Sequence, residues 1–167
     1  MKLQLINKTE FNKLSAAQKR VAIAKDVLLR IKKKNIKQYQ GDFFLNKEDI
    51  FEELDEKDSI QDAINSSQCE VCAKGALVCS WVGNFNKVKK EDIESFEVNL
   101  VFEDAAPKGL VKLFGRDMLD SIEYNFEGED YAWTSHNALR KGYNKKYNNN
   151  LRAIMQNIIE NEGKFIP

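Results

Sequence analysis

Apolar side chains recur with a helical period over much of this chain. Between Ala16 and Lys33 they fall at Val21, Ala24, Leu28 and Ile31, with Ala17 and Val27 widening the stripe. That is the three-to-four spacing of one helix face. Ser15 and Gln18 stand ahead of it as a capping box, each side chain satisfying a backbone N–H of the first turn. Lys32, Lys33 and Lys34 close it, where cations meet the negative end of the helix dipole. A second clear stretch ends the chain. Asn150 is placed to cap it, Leu151, Ile154, Met155 and Ile158 form its stripe, and Gly163 suits the C′ position.

Between these two, the pattern predicts a helix over 69–83 with Cys69, Cys72, Ala76 and Cys79 on one buried face. The small residues there, Gly75 and Ala76 among them, let another helix approach closely. A short helix is expected over 59–65. Another starts at Pro107, which suits a first helical turn, and runs through Leu110, Leu113, Phe114 and Met118. A further stretch holds Leu119, Ile122, Tyr124 and Phe126 and ends at Gly128. Residues 36–45 read as a short strand or ordered loop, and 46–50 can begin a helix. Residues 97–102 fit strand or helix, and 129–150 read as a polar loop. The sequence therefore predicts a mainly α fold, a compact bundle of four to five helices with at most a small β element, as one domain over 1–167. Val21, Leu28, Leu77, Ile154 and Ile158 are expected to share its core.

With 43% hydrophobic residues and only 2 prolines, the chain has the composition of a folded domain, not a linker. No run approaches the roughly 20 apolar residues of a membrane span. Met1-Lys-Leu-Gln-Leu-Ile6 lacks the apolar core of a signal peptide, and 3 cysteines make no secreted disulfide framework. A cytoplasmic protein with reduced thiols is expected.

The net charge of zero hides segregation. Residues 1–40 carry eleven Lys/Arg against two acids, and residues 134–167 six against two. Residues 41–60 carry eight acids against two lysines, and residues 84–133 twelve acids against six Lys/Arg. Either these surfaces neutralise one another within the fold, or they meet charged partners.

Cys69-Glu-Val-Cys72 has the spacing of zinc sites and redox dithiols. Cys79 and His136 could complete a four-ligand set, but an apolar helical context favours buried, reduced cysteines used for packing. Glycine-rich phosphate loops, zinc-protease and nucleophile-elbow signatures are missing, so no cofactor, metal or catalytic residue is expected. The segment 131–147 differs. It interleaves Tyr131, Trp133, Tyr143 and Tyr147 with His136, Arg140, Lys141, Lys145 and Lys146. Such residues stack bases and bind phosphate, and they equally anchor protein interfaces.

Three blocks resemble a family of small proteins of bacteria, phages and prophages with no assigned activity. They are Val21-Ala-Ile-Ala-Lys-Asp-Val-Leu28, Cys69-Glu-Val-Cys-Ala-Lys-Gly-Ala-Leu77 and Leu151-Arg-Ala-Ile-Met-Gln-Asn-Ile-Ile-Glu-Asn-Glu-Gly-Lys-Phe165. The resemblance implies a mobile-element protein that inhibits a host defence system by binding it, as an anti-CRISPR protein binds an RNA-guided nuclease. On that reading the acidic faces at 42–58 and 91–104 enter a basic channel as phosphate mimics. The partner-binding candidates are then Glu52, Glu53, Asp55, Glu56, Trp133, Arg140, Lys141 and Tyr143. Two alternatives stay open: an RNA-binding protein using 131–147, and an enzyme or zinc protein built on Cys69, Cys72 and Cys79.

Overall fold

The computed structural model describes residues 7–41, 44–46, 50, 60–84, 108–128 and 142–167. The described chain runs α1 (Lys8–Lys13), α2 (Ala16–Lys32), β1 (Ile36–Gln38), α3 (Ile60–Ser66), β2 (Cys69–Val71), α4 (Ala73–Asn84), α5 (Lys108–Phe114), α6 (Arg116–Glu127), a 3-10 turn (Lys145–Tyr147) and α7 (Leu151–Glu160). It is mainly α with one small sheet, the class the periodicity predicts. The only sheet among the described residues pairs β1 and β2 in parallel, with Ile36 opposite Cys69 and Gln38 opposite Val71. Parallel strands need a crossover, and α3 lies within it. No described helix is long and apolar enough to cross a membrane.

Helices α2, α4 and α7 enclose one core, with Ile23, Ala24 and Val27 packed among Leu77, Cys79, Leu151, Ile154 and Ile158. Leu77, Ile154 and Ile158 thus sit where the sequence places them. Leu28 is only partly buried at the edge of this core, and Val21 is half-exposed and outside it. The buried face of α2 instead runs through Ile23, Val27 and Arg30, with Asp26 beside them. Charged side chains hold two of these positions, so hydrophobicity alone places the stripe too far round the helix.

Residues 69–83 are not one helix. Cys69 belongs to β2, where its N–H donates to the Asn35 carbonyl at 2.7 Å, and the helix starts only at Ala73. The strand pattern is short, with Cys69 and Val71 inward and Glu70 outward toward Lys37.

The helix ends follow known chemistry. Ser15 and Gln18 form the capping box, and Asn150 Oδ1 accepts from the Ala153 N–H at 3.1 Å. Helix α7 closes in a Schellman turn, with the Gly163 N–H donating to the Ile158 carbonyl at 2.7 Å. Glu162, at φ 52°, holds the left-handed C′ position predicted for glycine. Gly163 follows one residue later because a Cβ there would meet the Ala17 carbonyl oxygen at 2.5 Å. Helix α2 closes the same way through Asn35 and Arg30, with Lys34 at φ 60°. Arg20 joins two helix ends, its Nε donating to the Gly163 carbonyl at 2.6 Å and its Nη1 to the Leu113 carbonyl at 2.8 Å.

Candidate functional site

Helix α2 has a second face. At about 100° per residue, Lys25, Leu28, Leu29 and Lys32 lie opposite Ile23, Val27 and Arg30. Their spacing, i, i+3, i+4 and i+7, makes them one patch. Arg152, Ala153 and Gln156 present a matching patch on α7. Together these residues line an open groove of 710 Å³ between the two helices. Leu28, Leu29 and Ala153 are partly buried within it, while Lys25, Lys32, Arg152 and Gln156 are exposed. The groove has an apolar floor and three cations on its rim. Among the described residues no carboxylate lies within ion-pair distance of Lys25, Lys32 or Arg152.

A buried polar network fixes α2, one wall of this groove. The Arg30 side chain is fully enclosed. Its Nε donates to Asp26 Oδ2 at 2.6 Å, its Nη1 to Asn35 Oδ1 at 2.8 Å and its Nη2 to Asn65 Oδ1 at 2.9 Å. Asn84 Nδ2 also donates to Asp26 Oδ2, at 2.6 Å. Asn65 and Gln61 both donate to the Gly83 carbonyl at 2.9 Å. A buried guanidinium needs its charge paired and its donors used, and Asp26 of α2, Asn35 ahead of β1 and Asn65 of α3 supply those partners. Gly83 makes room for it, since a Cβ there would lie 2.4 Å from Arg30 Nη2.

The cysteines form a second cluster. Cys69, Cys72 and Cys79 are free and buried. The Cys72 sulfur, Glu123 and Glu127 bring three ligand atoms within 4.8 Å of one another. The Lys74 N–H donates to Glu123 Oε2 at 3.1 Å, the Gly75 N–H to Cys72 Sγ at 3.4 Å and the Gly41 N–H to Glu127 Oε2 at 2.8 Å. Burial pushes the Cys72 thiol well up, and the Glu123 charge and its hydrogen bond add to this. Burial also raises the Glu123 carboxyl, against the opposing pull of Lys74 and Cys72. Cys79 is raised in the same way, by burial and then by its hydrogen bond with Cys69. The cluster thus joins the start of α4 to α6 through buried thiol, carboxyl and backbone groups.

Of the partner-binding candidates read from the sequence, Glu52, Glu53, Asp55, Glu56, Trp133, Arg140 and Lys141 lie outside the described residues, as does His136. Tyr143 is half-buried. Its ring meets buried Tyr124 edge-on at 5.6 Å, and its hydroxyl accepts from Asn148 at 3.2 Å. Tyr147 is buried against Phe165, with its hydroxyl accepting from Asn157 at 2.7 Å. Tyr147 is thus a core side chain, while Tyr143 packs on Tyr124 and keeps part of its surface exposed. Lys25, Leu29, Lys32 and Arg152 escaped the sequence reading. Their signal was the Leu28-Leu29 pair bracketed by lysines at 25 and 32, because one helix face cannot bury both leucines with Val27.

No family model, no curated protein and no solved structure matches this chain.

Proposed function

We propose that this protein acts by binding a protein partner, without a catalytic role of its own, and that the α2–α7 groove is its docking surface. The observation that carries this is an open groove with an apolar floor between two core helices, rimmed by three cations that no described carboxylate pairs with. Concave apolar surface with few placed polar groups is the usual character of a binding site. The free cysteines are enclosed in the core and do not line this groove. The block resemblance adds a context, in which the partner belongs to a host defence system such as an RNA-guided nuclease.

The groove also bears on the RNA-binding alternative. None of its lining residues is aromatic, so it offers bases nothing to stack on, and stacking supplies much of single-strand affinity.

The test is capture of one identified partner from a bacterial host lysate by four forms of the protein. The parent retains it. Leu29→Asp combined with Ala153→Asp loses it while melting cooperatively. Lys145→Glu combined with Lys146→Glu, on the exposed 3-10 turn, keeps it. Glu52, Glu53, Asp55 and Glu56 changed together to Lys form the comparison. If that set, or Trp133→Ala with Tyr143→Ala, abolishes capture while the groove variant keeps it, the acidic or the aromatic–basic segment is the working surface instead.

A further inference from the structure

The groove's charge and spacing describe what fits it, and the following rests on reading it as the docking surface. Lys25 and Lys32 are seven residues apart on one helix, which sets their attachment points roughly 10.5 Å apart along α2. Leu28 and Leu29 lie between them. Arg152 and Ala153 face this strip from α7, one cation beside one small side chain. A helix laid along the strip meets the same repeat it carries itself, since residues seven apart on any α-helix share a face and an axial spacing. The same-face side chains of an extended peptide recur about 6.6 Å apart, so its charged pairs fall at about 6.6 or about 13 Å and miss this spacing.

We infer that the α2–α7 groove takes an acidic amphipathic helix of a partner protein, with two carboxylates seven residues apart over Lys25 and Lys32 and apolar side chains between them on Leu28, Leu29 and Ala153. Three positive charges with no described carboxylate within ion-pair distance select against basic and neutral helices. A small residue at Ala153 leaves room for a bulky apolar side chain, as a close helix–helix approach needs. Arg152 receives a third carboxylate on the opposite side, bidentately where geometry allows. The polar part of the recognition sets partner choice and encounter rate, and the leucine floor holds the complex.

The experiment selects from a displayed library of helical peptides against the full-length parent, with counter-selection on Lys25→Glu/Lys32→Glu. Both lysines are exposed, so the double variant keeps its fold, checked by circular dichroism and its melting profile. The inference expects enriched peptides with acidic residues at i and i+7 and apolar residues at i+3 and i+4. Their affinity falls at least about tenfold against the double variant, because opposite charges become like charges. Exchanging the two peptide acids for lysines restores binding to that variant and removes it from the parent. Enriched peptides without acidic bias, or affinity indifferent to the lysine changes, overturn the inference. So does equally tight binding of a single-stranded RNA oligomer or of anionic phospholipid vesicles at the same groove. If the peptides fail but Leu29→Asp/Ala153→Asp still abolishes partner capture, the docking surface stands and only the acidic-helix occupant falls. Loss of neither rejects both.

Discussion

Arg30 carries a full charge into the interior of α2 and is satisfied there by Asp26, Asn35 and Asn65. Breaking a buried pair leaves an uncompensated charge, so Arg30→Ala is expected to cost about 3–5 kcal/mol, read from denaturant unfolding. Conformational strain operates at the other helix ends. Lys34 and Glu162 hold left-handed conformations that only glycine adopts freely. Lys34→Gly and Glu162→Gly should each stabilise by about 0.5–1 kcal/mol, once the unfolded-state entropy of glycine is subtracted. A fall in melting temperature for both would refute the reading of these caps. Glu123 gives a pH signature. Its folded-state pKa is raised above the ordinary value of about 4.3. The fold therefore favours the protonated form, and the stability this group contributes is present in acid and lost as pH rises through the raised pKa. Glu123→Gln cannot ionise, so the parent should lose stability relative to this variant between about pH 4 and its folded pKa. A constant difference across that window would contradict the burial of this carboxyl.

At the scale of elements, α2 is the instructive case. Its existence, cap and approximate ends were legible from Ser15, Gln18 and the lysine run, because local chemistry sets them. Its orientation was not, because the inward face includes Asp26 and Arg30, and a charged residue reads as solvated unless its buried partners are known. Those partners, Asn35 and Asn65, come from other elements. The consequence is measurable. Leu28→Ala should cost under roughly 1.5 kcal/mol, since its side chain is only partly enclosed at the edge of the core. Ile154→Ala should cost about 2–5 kcal/mol, as a fully enclosed side chain does. Equal costs would return Leu28 to the core. The segment 69–72 shows the same limit. Its cysteine spacing fits a helix, but a strand wins because β1 offers it backbone partners some thirty residues away, which no local pattern contains. The seven candidate residues outside the described positions come from charge runs and aromatic–basic composition, which carry no information on packing.

For the molecule as a whole, charge segregation was the strongest signal in the sequence, and the groove gives its basic half a definite address. Lys25 and Lys32 come from the basic first forty residues and Arg152 from the basic last thirty-four. They meet only because α7 packs on α2. The sequence could show two basic ends but not that they join over a leucine floor. The measurement that bears most directly on this is amide hydrogen exchange of the protein alone and bound to its captured partner. Docking in the groove slows exchange over residues 25–32 of α2 and 152–156 of α7 and leaves 145–147 unchanged. Protection confined to other segments, with both groove helices exchanging as they do in the free protein, would contradict it.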